Sequence, residues 1–262
     1  MRKTRRKLEE MLWVTGLHNF ARAVYGRTAG REVAAARAKI RSFYAQLIPQ
    51  PSLVFDIGAN VGAMSAIFAA LGNRVIALEP NGDCARHIQL SYADYGIDVI
   101  QAVAGAEDGL ATIRLSDERD DISSLSVEWM EAIKNEHPNY SELWSKQATV
   151  PMLKLDTLVT HYGAPEFIKI DVEGYEESVL AGLSLQPPLL SFEFNAAFLP
   201  ATERCLDSKV FAADSEFNYA LGDPSTFEHP WMGKDQIKKL LGSMDKQDRH
   251  GDIFVRRPRL QA

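Results

Sequence analysis

Cysteine is scarce in this chain: Cys84 and Cys205 are the only two in 262 residues. Two thiols cannot build a disulfide framework, and they lack the paired spacing of a zinc site, so a reducing compartment and ordinary packing roles are expected. Long hydrophobic runs are also missing. No uninterrupted apolar stretch approaches the roughly 20 residues that span a bilayer. The start, Met1-Arg2-Lys3-Thr4-Arg5-Arg6-Lys7, leads into Glu9 and Glu10 rather than into the apolar core of a signal peptide. A cytoplasmic protein without a transmembrane segment is the expectation. Among the six histidines no pair stands at i and i+4 and no HExxH pattern occurs, which removes the common zinc-hydrolase signatures. Asp171, Glu173 and Glu193 could together hold a divalent ion, but the pattern assigns no metal. Neither an internal repeat nor a low-complexity tract is present.

What the chain does have is enough apolar content, 46%, to fill the core of one large α/β domain with an appendage. The charge is unevenly spread. Residues 1–48 carry 11 Lys/Arg against 3 Asp/Glu, leaving 18 against 32 for residues 49–262, so a basic arm of +8 precedes a body of −14. Such an arm can be a solvated helical face, can touch the acidic body, or can make weak contact with a membrane surface or nucleic acid. Within it, Val33, Ile40, Phe43, Tyr44 and Leu47 recur at near-helical spacing with Arg37, Lys39 and Arg41 between them, which predicts an amphipathic helix over 31–48. Pro49 and Pro51 end it, and the domain proper is expected over 49–262.

From there short apolar runs alternate with helical stretches, the pattern of a parallel sheet wrapped by helices. Strands are predicted at 53–55, 75–78, 97–103, 111–115, 167–170, 189–194, 217–221 and 252–256, with an extended segment at 150–155. Helices are predicted at 64–71, after an Asn81 cap, at 157–162, through Val179 and Leu180, at 203–213 and at 234–241. Residues 116–149 hold no sustained period and read as an insertion. Its Trp129, Tyr140 and Trp144 could form a platform for a sugar ring or tether the insertion to the body, and Ser123 and Ser124 could line a pocket or simply cap a turn.

The segment Asp56-Ile57-Gly58-Ala59-Asn60-Val61-Gly62 follows the first strand and opens a helix. Glycines there let backbone N–H groups approach a nucleotide-like ligand. A dinucleotide fingerprint would need glycines at 58, 60 and 63, and the chain has Gly58, Asn60 and Ala63, so a ligand without a pyrophosphate fits better. Glu79-Pro80 ends the second strand, where a carboxylate can accept both hydroxyls of a ribose. Asp171 should close a further core strand at the ligand-binding edge of the sheet. Glu173, two residues on, either reaches the same crevice as a proton acceptor or sits in the first turn of the next helix. Lys169 is read as packing or pairing locally, and His250, just before the last strand, is the histidine nearest to a site.

Val54-Phe55-Asp56-Ile57-Gly58-Ala59-Asn60-Val61-Gly62, Ala77-Leu78-Glu79-Pro80 and Phe167-Ile168-Lys169-Ile170-Asp171-Val172-Glu173-Gly174-Tyr175-Glu176 together resemble the FkbM family of class I methyltransferases. The resemblance covers about residues 45–195. It implies a Rossmann-like α/β fold, doubly wound on a mostly parallel seven-stranded sheet with an N-terminal helical arm. It also implies S-adenosyl-L-methionine as methyl donor and O-methylation of a hydroxyl on a sugar, glycan or natural-product acceptor. By that resemblance Asp56, Gly58, Asn60 and Gly62 surround the methionine end of the cofactor. Glu79 and Pro80 hold the ribose, Gln101, Ala102 and Val103 border the adenine, and Asp171 and Glu173 face the cofactor or the acceptor as the catalytic pair. Two other readings stand beside it: an RNA ribose methyltransferase, against which the acidic body argues, and a noncatalytic cofactor-binding scaffold, against which the intact motif residues argue.

Overall fold

The computed structural model describes residues 29–115, 126, 146–195, 198–222, 224–244 and 250–258. Trp129, Tyr140, Trp144, Ser123 and Ser124 lie outside the described residues. The chain enters through α1 (Ala29–Leu47) and then runs β1 (Leu53–Ile57), α2 (Ala63–Ala70), β2 (Arg74–Leu78), α3 (Gly82–Ser91) and β3 (Asp98–Ile100). There follow β4 (Val103–Ala104), β5 (Gly109–Leu115), β6 (Lys146–Leu153), α4 (Leu155–Tyr162), β7 (Phe167–Ile170) and α5 (Glu176–Ala181). The remainder is β8 (Leu189–Asn195), α6 (Leu199–Leu206), β9 (Glu216–Leu221), α7 (Lys234–Gly242) and β10 (His250–Arg256).

Seven strands form one sheet in the order β3-β2-β1-β7-β8-β10-β9. Its pairings are parallel except that β10 runs antiparallel to both β8 and β9. The expected seven-stranded, mostly parallel α/β sheet is therefore present. All four residues of β7 are buried, because helices cover both faces of a central parallel strand. On one face Val54, Phe167, Leu189 and Phe254 pack with Ile67 and Phe68 of α2. On the other, Phe55, Ile57, Ile168, Ile170, Phe192 and Ile253 meet Leu158, Val179, Leu206 and Ile237 from α4 to α7. The period of two along each strand thus feeds two separate cores.

α1 belongs to the first of them. Ile40, Phe43, Tyr44 and Ile48 are buried, with the Tyr44 ring 5.0 Å from Phe68 and 5.6 Å from Phe167, and Phe43 5.5 Å from Phe254. The amphipathic period predicted for 31–48 holds from Ile40 onward, where the stripe lies against the sheet of the body, whereas Val33, also assigned to the stripe, is exposed.

The predicted strand over 97–103 is two strands. β3 adds to the sheet edge, while Val103 and Ala104 leave it to pair with β6, which also holds β5, in a separate three-stranded sheet. β6 starts at Lys146, so the last residues assigned to the insertion are strand, and Leu155 opens a helix rather than ending an extended segment. The helix predicted over 203–213 runs instead from Leu199 to Leu206, with Pro200 in its first turn, where a missing N–H costs nothing. Asn81 caps α3 as expected, its Oδ1 accepting the Asp83 N–H at 3.0 Å.

The chain winds outward from β1 through β2 to β3 and then crosses to β7 on the other side of β1. Connections leaving β1 and β7 therefore diverge, and a crevice opens beyond their carboxyl ends.

Candidate active site

A cavity of about 620 Å³ occupies that crevice, a size suited to a cofactor with its acceptor. Gly58 turns the chain out of β1 with φ of 82°, and its N–H donates to Leu78 O at 2.9 Å. A Cβ there would lie 1.8 Å from the Asp171 carbonyl oxygen, so glycine is what lets the β1 and β7 loops touch. Asn60, also left-handed at φ of 49°, donates its N–H to Glu79 Oε2 at 2.7 Å, and Asn81 N–H donates to Glu79 Oε1 at 2.8 Å. Glu79, 6% exposed, is thus aimed by the backbone of both loops. A carboxylate accepting one N–H on each oxygen keeps further lone pairs for ligand hydroxyls.

The cavity wall includes Gly58, Asn60, Glu79, Pro80, Ala102, Val103, Asp171 and Glu173 of the residues expected there. Three others stand back from it. Asp56 is buried beneath the turn, accepts the Ser65 hydroxyl at 2.5 Å and has its pKa raised by burial. Gly62 precedes α2, where a Cβ would sit 2.8 Å from Ile88 Cγ1. Gln101 is exposed and leans on Pro80 O at 3.4 Å. These three shape the wall rather than form it.

The other end of the cavity is acidic. Asp171 follows β7, its N–H donating to Ile57 O at 2.9 Å, and its Oδ2 accepts the Lys169 ammonium at 2.5 Å. The local pairing expected of Lys169 is therefore with Asp171. Glu173 has φ of 53° in a turn, and α5 begins only at Glu176, so Glu173 is not a first-turn helix residue. Glu176 holds this turn from below, accepting the Val172 and Gly174 N–H groups at 3.2 and 3.1 Å. Burial pushes its carboxyl up to about 7 despite those bonds. Glu193 of β8 is raised well above the ordinary range by burial and by Asp171 and Glu173. Asp252 of β10 is raised to about 6 by burial, against the pull of Lys169. Carboxylate oxygens of Asp171, Glu173 and Glu193 lie within 4.8 Å of one another, the group among the described residues that could hold a metal ion. His250 lines the cavity beside Gly251 and Asp252.

Asp252, Tyr175 and Ile113 are wall residues that pattern reading missed. For Asp252 a signal existed: it is a carboxylate just ahead of Ile253-Phe254-Val255, where an interior strand has no reason to carry charge. Ile113 reaches the cavity from β5, whose route follows only from the split after β3.

A glycine turn after β1, a carboxylate after β2 and a cavity at the reversal of strand order define a Rossmann-like nucleotide-cofactor site, the class to which the class I methyltransferases belong. A family model described as the methyltransferase FkbM domain matches residues 56–203, more than half of the chain. The chain belongs to this FkbM family and is an S-adenosylmethionine-dependent methyltransferase. None of the curated proteins matches the sequence. Solved structures with a similar fold include the precorrin-6y C5,15-methyltransferase of Geobacter metallireducens GS-15, at 13% identity, TM-score 0.42 and 86% of both chains. An O-methyltransferase from Bacillus cereus matches at 12% identity and TM-score 0.42, over 85% of this chain and 80% of its own. These are distant likenesses, and the assignment rests on the family match.

Proposed function

We propose that this methyltransferase transfers its methyl group to a hydroxyl of a sugar, glycan or natural-product acceptor. The observation that carries the reading is the two-ended cavity, with Glu79 aimed by backbone at one end and Asp171, Glu173 and Glu193 gathered at the other. The residues fit the donor: Gly58 removes side-chain bulk where the loops meet, and Glu79 can accept ribose hydroxyls while Pro80, Ala102 and Val103 offer an apolar border for the base. When bound, S-adenosylmethionine supplies an activated methyl on a sulfonium, so the protein need only align the acceptor and take its proton.

Asp171 is the proposed proton acceptor, with Glu173 beside it. With the donor held beside Gly58 and Glu79, the acceptor hydroxyl would take the methyl group and its proton would pass to the Asp171 carboxylate. An RNA acceptor is disfavoured by the same wall, whose carboxylates repel phosphate. No helix among the described residues is long and apolar enough to cross a membrane. The experiment is methyl transfer from S-adenosylmethionine to a panel of glycans, polyhydroxylated small molecules and RNA, read by mass spectrometry. Methylation of a hydroxyl on the first two groups is the expected result. Transfer to RNA alone would overturn the acceptor class.

A further inference from the structure

Lys169 is the one buried basic side chain among the described residues, 5% exposed. It stands opposite Asp56 of β1 and Ser191 of β8, so the three share a face of the sheet, and Asp171, two residues on, follows on that face. Asp252 stands opposite Glu193 on the same side, two residues beyond Ser191. The groups acting on the ammonium are Asp171, Asp252 and Asp56, with Tyr44 of α1 beneath. Burial pushes its pKa down, but these carboxylates outweigh burial and hold it well above the ordinary lysine value. The side chain also reaches the cavity wall, where among the described residues five acidic side chains, Glu79, Asp171, Glu173, Glu193 and Asp252, are joined by two basic ones, Lys169 and His250.

The methyl donor enters as a cation at sulfur, and its product leaves as a neutral thioether. A negative wall binds the first more tightly than the second, and a cation set into that wall reduces the difference. Resting on the methyltransferase reading above, we propose that Lys169 is a positioning residue that pins the Asp171 carboxylate and sets how strongly the cavity prefers sulfonium over thioether. Without it, the acidic wall would favour the fresh cofactor over the spent one more strongly. With it, one buried charge offsets part of the wall while leaving Asp171 directed at the crevice by a 2.5 Å bond.

The test needs no acceptor. S-adenosylmethionine and S-adenosylhomocysteine are titrated calorimetrically into the full chain at about pH 8, well above the value of about 6 to which burial raises Asp252. The quantity read is the ratio of the two affinities in wild type, Lys169→Met, Asp252→Asn and the double variant. Lys169→Met is expected to raise the preference for the sulfonium by roughly tenfold or more, tenfold being the size of one charge removed about 12 Å away at an effective dielectric of about 20. Asp252→Asn should lower it, and the double variant, which loses one charge of each sign, should return near the wild-type ratio. If Lys169→Met does not fold, the fall in Asp252→Asn and its recovery in the double variant decide the matter. A ratio unchanged in every folded variant would leave Lys169 a structural counterion and overturn the proposal. Failure of the wild type to bind either ligand would instead overturn the cofactor reading on which it rests.

Discussion

Glu79 and Asp171 end neighbouring parts of the same crevice but carry different partners, so neutralising them should have different effects. Glu79→Gln keeps one acceptor oxygen for the two loop N–H groups and loses the other. A charge-assisted hydrogen bond is worth about 1.5–3 kcal/mol, so cofactor affinity should fall roughly 10- to 150-fold by calorimetry. Asp171→Asn should bind the neutral S-adenosylhomocysteine nearly as well and lose turnover by about 100- to 10,000-fold once an acceptor is in hand. Equal affinity losses with normal turnover would make Asp171 a cofactor ligand only. Glu176 carries a pH prediction of its own. Burial lifts its folded pKa to about 7 from 4.5, so the native state holds the proton more tightly than the unfolded chain. Stability should be highest below the unfolded value and decline as pH rises through about 7. Glu176→Gln should flatten that decline and stabilise the protein by about 1–3 kcal/mol at pH 8 in denaturant titrations; an unchanged slope would contradict the assignment. Motif residues such as Gly58, Glu79 and Asp171 were legible because their chemistry follows from position at a strand end. Asp56, Gly62 and Gln101 show the limit: the family resemblance put them near the ligand, while only the fold reveals that Asp56 is tied to Ser65 beneath the turn and that the Gln101 amide rests on Pro80 O.

At the scale of elements, the central strands and their helices could be read because each has a single dominant period. The third strand could not, since residues 97–103 are interrupted only by Asp98 and Gln101, and the single polar Gln101 is a weak mark for the point where the chain abandons β2 for β6. Helix α6 was misplaced for a related reason: Val210 and Phe211 continue an apolar pattern after the helix has stopped at Leu206, because they pack against the core from a turn. α1 is where reading and fold diverge most in consequence. Its composition marked it as part of an arm, whereas its buried stripe makes it part of the core. Removing residues 1–28 should leave S-adenosylhomocysteine affinity unchanged. Removing 1–48 strips Ile40, Phe43, Tyr44 and Ile48 from the sheet. At about 1.5–3 kcal/mol for each fully buried apolar side chain, that loss rivals the whole stability of about 5–15 kcal/mol typical of a domain. Circular dichroism should find the shorter protein unfolded, and a stable, ligand-binding fragment would show that α1 is dispensable. Gly58→Ala tests the contact between the β1 and β7 loops: the left-handed φ costs an alanine about 1–2 kcal/mol, and the Cβ must displace the Asp171 carbonyl.

For the molecule as a whole, sheet order, cavity and family agree with the proposed arrangement, in which the donor would lie across the carboxyl ends of β1 and β2 and the acceptor would meet it over β7 and β8. The absence of glycines at 60 and 63 separates this arrangement from a dinucleotide site, which the same topology could otherwise serve. Thermal unfolding with each ligand tests that separation most directly. At a hundredfold excess over its dissociation constant a ligand that binds only the folded chain adds about 2.7 kcal/mol. S-adenosylhomocysteine should therefore raise the unfolding midpoint by several degrees and NAD should leave it in place. Stabilisation by NAD, with none from S-adenosylhomocysteine, would contradict the account.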